Sequence, residues 1–438
     1  MNPCELGAAH AARKIREQQM TSERLVHSCL AQIDAREAQV QAWVHLNDGH
    51  ALELARRADT LQRSGAQLGP LHGVPVGIKD IFDTADFPTE FGSPIFRGRQ
   101  PESDAAVVEC LRAAGAIILG KTVTTEFASF CPNKTRNPHD LSRTPGGSSS
   151  GSAAAVASDM VPLALGSQTG GSTIRPGSFC GVVAFKPTFG AISRHGCMML
   201  AESLDHVGLY ARCVEDIALL AQTLYGKDER DPTSGAVGVN GFDLVVNDDA
   251  APPRFAFVPT PFWERAQEGL RAAFTGYTAG LGSLPRVELT PAFSQAPDWL
   301  GTLFAKELAR RFDATYRASA EQMSPTSRAD IETGQRVSDD DYADAHAGQT
   351  RLRALLDDVF EHHDVLITPA TLGEAPPIET TGDPIFCSIW TLCGFPSISL
   401  PLLTGPAGLP IGVQLIGPRQ SDANLLRAAA WLEADQDA

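Results

Sequence analysis

Two glycine- and serine-rich turns and one lysine carry the chemistry this sequence offers. The first turn is Gly146-Gly147-Ser148-Ser149-Ser150-Gly151-Ser152, the second Gly166-Ser167-Gln168-Thr169-Gly170-Gly171-Ser172, and the lysine is Lys79 in Gly77-Ile78-Lys79-Asp80. Two serines and a lysine can run nucleophilic catalysis without histidine or metal, provided the lysine is desolvated enough to be neutral near pH 7. Lys79 follows the apolar run 73–78, which holds no other charge. Burial lowers a lysine's pKa by up to several units from ~10.4. A carboxylate at Asp80 would oppose that shift, although adjacent strand residues point to opposite faces. Three glycines in the second turn let backbone N–H groups converge, as an oxyanion hole requires.

Other strings spell familiar sites without their context. Gly115-Ala116-Ile117-Ile118-Leu119-Gly120-Lys121-Thr122 satisfies the G-x-x-x-x-G-K-T pattern of a phosphate-binding loop. Its middle reads as a buried strand whose amides are committed to a ladder, which argues against nucleotide binding. Gly147-Ser148-Ser149-Ser150-Gly151 spells a nucleophile elbow centred on Ser149, with Asp205, His206 or Asp364 as partners, but loop residues 142–146 precede it where an apolar strand is needed. No paired Cys/His spacing suggests a metal site, and His362 and His363 are sequence neighbours that would point apart. Arg175, three residues beyond Ser172, is a natural carboxylate clamp whose alternative is a structural ion pair.

The elements that position these groups follow from periodicity. Thr21 caps a helix with Leu25, Val26, Cys29, Leu30 and Ile33 on one face, and a second helix covers Leu52 to Leu61. Strands are expected at 74–78, 116–119, 160–165, 255–258, 364–368, 397–402 and 411–416, with Phe179 to Phe185 a further apolar run. Helices are expected at 104–114, 153–157, 214–224, 301–318, 349–361 and from about 422. This alternation predicts an α/β fold, a large central β-sheet covered by helices on both faces. Residues 226–252 and 323–346 read as polar surface excursions, and one continuous domain is the simpler organisation.

Composition bounds the partners. With 438 residues, core size is not limiting, and 36 basic against 52 acidic residues give a net charge of −16, which repels nucleic acid and anionic membranes. Nine cysteines without a C-x-x-C pair suit reduced thiols and a cytoplasmic setting. The N-terminus lacks an apolar leader segment, and no stretch reaches 18 uninterrupted apolar residues.

Taken in order, the blocks Leu71 to Asp80, Thr144 to Ser152, Leu165 to Ser172, Phe179 to Thr188 and Gly408 to Leu415 resemble the amidase signature family from about residue 20 to the C-terminus. The resemblance implies a mixed central sheet and one amidase domain over 1–438. Within it lie N-terminal helices (about 1–65), a signature core (70–225), a variable region (226–360) and a C-terminal completion of the sheet (361–438). It implies a Ser-cisSer-Lys triad of Ser172 as nucleophile, Ser148 as the bridge after a cis peptide, and Lys79 as base. The amides of Thr169, Gly170, Gly171 and Ser172 would hold the oxyanion, with no metal or cofactor. The sequence departs from the family's commonest pattern: Ile174 stands where arginine is usual, Arg175 follows one residue later, Gln168 replaces Asp and Ser150 a frequent glycine. These departures resemble the malonamidase group, in which the shifted arginine binds a substrate carboxylate. The expected function is hydrolysis of a small carboxylate-bearing amide such as malonamate. Alternatives are a carboxybiuret or carbamoyl-acid hydrolase, an amidotransferase A-type subunit feeding ammonia to a partner, and a silent binding protein. A homodimer stays open.

Overall fold

Neighbouring residues of the apolar runs part company. Ile118, Leu163, Leu165, Val183, Phe185 and Leu209 pack into one core, whereas Ile117, Leu119, Ala164, Ala184 and Tyr210 pack into another. Alternate residues of an extended chain face opposite sides, so two cores flanking the same strands mean a sheet covered on both faces. Each large apolar side chain fully buried there contributes about 1.5–3 kcal/mol.

The computed structural model describes residues 2–235, 237–238, 242 and 253–436. Its strands are β1 (Trp43–Leu46), β2 (Pro75–Lys79), β3 (Ile117–Thr122), β4 (Leu163–Gln168), β5 (Val183–Lys186), β6 (His206–Ala211), β7 (Phe255–Phe257), β8 (Val365–Pro369), β9 (Ser397–Thr404) and β10 (Pro410–Ile416). They form one ten-stranded sheet in the order β1-β3-β2-β4-β6-β5-β9-β10-β8-β7. β2 runs parallel to β3 and β4, and β7 to β8, while the other pairs are antiparallel, so the sheet is mixed as expected. Helices Ser22–Val40, Asp48–Arg63 and Ser150–Ala157 cover one face, and Ala106–Ala113, Val214–Leu224, Ala296–Ser319 and Asp422–Gln436 contribute to the other core. The Thr21 side chain accepts from Arg24 N at 3.1 Å, capping its helix as the sequence suggests.

Two expectations need correction. The stretch 323–346 is helical: Pro325–Arg336 and Asp339–Phe360 each open on a serine cap, Ser324 and Ser338. The apolar stripe there is narrow, chiefly Ile331, Ala345, Leu352 and Leu356, and the charged outer face hides it from a composition-based reading. The run Phe179 to Phe185 is split between the end of helix Ile174–Cys180 and β5, because Gly181 takes the left-handed conformation that ends the helix. The proposed excursion at 226–252 falls largely outside the described residues.

The apparent phosphate loop is β3, hydrogen-bonded on both sides. Lys121 is buried, donates to Phe82 O at 2.7 Å and Thr89 Oγ1 at 2.6 Å, and pairs with Asp80 at 3.5 Å. Removing one member of such a pair leaves a buried charge without its counterion. Lys121→Met is therefore expected to destabilise the fold by about 3 kcal/mol, read as a lowered melting temperature, and an unchanged melting temperature would contradict this role.

Candidate functional site

Strands β2 and β4 run side by side in the same direction, with Ile78 opposite Leu165, so their C-terminal ends bring Lys79 and Ser167 together. Lys79 Nζ donates to Ser148 Oγ at 2.7 Å and to Ser167 Oγ at 2.8 Å, and the side chain is wholly buried. Its neighbour Asp80 faces away, toward Lys121. Burial pushes the Lys79 pKa down to about 7, opposed in part by Cys197 and Asp205. Burial also pushes the Cys197 thiol up, so it is neutral and Asp205 supplies the nearby negative charge.

Ser148 is held by its backbone. Thr125 N donates to Ser148 O at 3.2 Å, the Gly147–Ser148 peptide is cis, and helix Ser150–Ala157 begins two residues on. A Cβ at Gly151 would lie 2.3 Å from Ala42 O and 2.4 Å from Val123 N, so only glycine lets this turn press against β1 and β3. Ser149, the centre of the elbow-like string, is turned to the backbone instead, bonding Ser167 O at 3.2 Å and Ser167 N at 3.1 Å. Asp205 accepts from Thr169, His206 Nδ1 meets Leu204 O at 2.6 Å, and Asp364 pairs with Arg254. The Ser-His-Asp alternative is not assembled. Among the described residues no group of three or more His, Cys, Asp or Glu is placed to hold a metal ion.

Ser172 lies between β4 and helix Ile174–Cys180, and at 9 % exposure it is the most accessible of the three candidate groups, against 1 % for Ser148. Its loop is fastened from outside. Gln168 Oε1 accepts from Thr173 N at 2.8 Å and Ile174 N at 3.0 Å, Thr391 Oγ1 donates to Gly170 O at 2.6 Å, and Tyr210 OH donates to Ser172 O at 3.2 Å. The carbonyls are thus engaged while the amides of Thr169, Gly170, Gly171 and Ser172 donate to no partner among the described residues. Four consecutive unused N–H groups beside a serine suit a developing oxyanion. Lys79 reaches Ser148, but Ser172 Oγ makes no hydrogen bond to either group.

Arg175 joins the two serine loops. Its Nη2 donates to Gly147 O at 2.7 Å and to Thr381 Oγ1 at 3.3 Å, and its Nη1 lies 3.3 Å from where a Cβ on Gly171 would stand. The side chain is 1 % exposed, and Nε and Nη1 have no hydrogen-bond partner among the described residues. Burial lowers its pKa, and the nearby Asp383 is itself paired with Arg265 at 2.6 Å. This is not a structural ion pair. It is a buried cation beside the glycine loop with hydrogen-bonding capacity left over. Sequence reasoning gives no role to Ser167, Tyr210, Thr381 or Thr391, and considers Asp205 only as a partner of the elbow-like string, whereas its side chain accepts from Thr169. Ser167 lay inside a quoted motif, whereas Thr381 and Thr391 stand far along the chain from the loops they fasten, with no local signal.

Comparison with known proteins agrees with this arrangement. The profile of the family described as Amidase matches residues 24–426. The A-type subunit of the glutamyl-tRNA(Gln) amidotransferase from Anaeromyxobacter sp. (strain K) is 36% identical, covering 99% of this chain and 96% of that protein. Its counterpart in Chloroflexus aggregans is 36% identical over 96% and 94% of the two chains. Among solved structures, a chain from the vestigial complex that revealed the evolutionary origins of an s-triazine catabolic enzyme superposes with a TM-score of 0.93 at 30% identity, covering 98% of each chain. The native peptide amidase of Stenotrophomonas maltophilia gives 0.84 at 27% identity, over 99% and 97%. With the family profile spanning most of its length and the sheet of these relatives in place, the chain belongs to the amidase signature family and is an amide-hydrolysing enzyme.

Proposed function

We propose that this enzyme releases ammonia from a small primary amide bearing a carboxylate, through an acyl ester on Ser172. The observation that carries the proposal is Arg175, a guanidinium 1 % exposed with two nitrogens unpaired beside the glycine loop. An arginine stays charged in any protein setting, and a buried charge without a counterion is costly, so an anionic substrate group is its natural partner. In this reading neutral Lys79 accepts a proton from Ser148, which accepts one from Ser172 as Ser172 Oγ attacks the amide carbon. The amides of Thr169 to Ser172 carry the oxyanion. Lys79 returns its proton through Ser148 to the departing nitrogen, ammonia leaves, and water then cleaves the ester by the same relay. Side chains and backbone alone perform these steps.

The acyl group is the finer question. Malonamate is the short amide of this kind that the sequence suggests, but the curated relatives lend that choice no support. Being A-type amidotransferase subunits, they favour a second reading in which the chain feeds ammonia to a partner. Glutamine is itself a primary amide with a carboxylate, so Arg175 serves either reading. The similarity to the s-triazine-related chain keeps a carboxybiuret or carbamoyl acid in view, with Arg175 on the carbamate. Ammonia release from malonamate, glutamine, a carbamoyl acid and neutral amides of equal length separates these, and co-purification with a second protein chain would favour the amidotransferase reading.

Ser172→Ala is expected to abolish ammonia release and the trapped acyl adduct, and Lys79→Ala to lower kcat by about 10²–10⁴-fold. Because the base must be uncharged, kcat/KM should fall as pH drops through about 7, the value to which burial brings Lys79. A limb near the ordinary lysine value would refute this assignment. Arg175→Met should cost about 100-fold in kcat/KM on acidic amides and far less on neutral ones, whereas equal losses would remove the clamp.

A further inference from the structure

Bonded to the start of the glycine loop is a buried carboxylate to which the mechanism above gives no task. Asp205, 6 % exposed, stands immediately before β6. Its Oδ1 accepts from Thr169 Oγ1 at 2.5 Å, and its Oδ2 from Leu200 N at 2.7 Å and Ala201 N at 3.1 Å. Its backbone carbonyl is held by Arg194 Nη1 at 3.1 Å, and Arg194 is anchored on Asp231 at 3.3 Å. Asp205 also lines a small enclosed space with Ser167, Cys197 and His206, and Ser167 is the second acceptor of the Lys79 ammonium. One carboxylate thus grips the first residue of the amide loop and shares a small space with Ser167, a hydrogen-bond partner of the base.

We propose that Asp205 is a positioning residue for the reaction: its hydrogen bond to Thr169 fixes the amide loop Thr169–Ser172, and its negative charge sets the protonation of Lys79. This rests on the roles assigned above to Ser172, Lys79 and the loop. A threonine at the start of a glycine-rich turn would otherwise leave the direction of the following amides loosely determined, and a charge-assisted hydrogen bond restrains it more strongly than a neutral one. Oxyanion donors act through being oriented before the charge develops. The groups facing Asp205 are Thr169, the amides of Leu200 and Ala201, Arg194 and, around the small enclosed space, Cys197 and His206; those acting on Lys79 are Ser148, Ser167, Cys197 and Asp205. Burial raises the Asp205 carboxyl, while its hydrogen bonds from Thr169, Leu200 and Ala201 and the nearby Arg194 favour its ionised form, and that negative charge opposes the lowering of the Lys79 pKa.

The test is the rate of sulfonylation of the nucleophile by methanesulfonyl fluoride, followed by mass spectrometry, together with ammonia release from malonamate and glutamine. Thr169→Val keeps the shape and removes the hydroxyl, and Thr169→Ser restores it. Thr169→Val is expected to slow both sulfonylation and kcat about 10-fold or more with KM within about two-fold, and Thr169→Ser to recover most of the loss. Asp205→Asn should in addition move the acid limb of the sulfonylation rate to lower pH by about half a unit or more, since the charge favouring protonated Lys79 is gone. Wild-type rates in Thr169→Val, equal impairment in Thr169→Ser, or an unmoved limb in Asp205→Asn would each overturn the proposal. If the wild-type label falls anywhere but Ser172, the underlying reading fails instead.

Discussion

An amine that must lose its charge inside a protein is the constraint on which the site depends. Bringing Lys79 from its ordinary 10.5 to about 7 amounts to roughly 5 kcal/mol of differential solvation between its two protonation states. Burial alone does not distinguish it, because Lys121 and Lys186 are equally buried and also shifted, to about 8 and about 7. What differs is the company each keeps. Lys121 is tied to Asp80 and to Phe82 O, and Lys186 donates to the carbonyls of Pro187 and Phe395. Lys121 also reaches the Thr89 hydroxyl, but among the three Lys79 is the one whose described partners are all hydroxyls, groups that can give a proton back. The separation of Asp80 from Lys79 by the strand pleat is what keeps the ion pair on the other lysine.

The second cation follows a different rule. Arg175 cannot shed its proton at neutral pH; its buried charge is met directly by carbonyl and hydroxyl dipoles at Gly147 and Thr381, while the nearby Asp383 is committed to Arg265. The site therefore combines one base that titrates with one charge that does not. That combination suits a substrate with a neutral end to be attacked and an anionic end to be held. The glycine loop sits between them, its carbonyls engaged from outside by Thr391 and Tyr210 and its amides left for the substrate.

These groups stay in place because the sheet is rigid at this point. β2 and β4 are central strands with cores on both faces, and both serine loops run straight into helices packed on that sheet. Elements farther along the chain close the site: Thr381 reaches Arg175 and Thr391 reaches Gly170 from the loop and helix that precede β9. Residues distant in sequence thus fix the orientation of the short motifs that carry the chemistry.

By itself the sequence determined the α/β class and most of the strands, because periodicity is a local signal; its glycine-rich turns marked Lys79, the serines and Arg175 as candidates, and the family resemblance singled out Ser148 and Ser172 among those serines. It also rejected the false phosphate loop, since an apolar run cannot offer free amides. The short strands β1 and β6 escaped it, as did helices Pro325–Arg336 and Ile385–Cys393, the first mostly polar and the second buried all round, so neither shows a clean amphipathic stripe. Only the tertiary structure decided that Asp80 turns to Lys121, that Asp205 serves Thr169 rather than His206, and that Arg175 keeps two nitrogens unpaired. Each is a choice of partner, set by which side chains packing brings into bonding reach across long stretches of chain, and no local pattern encodes it.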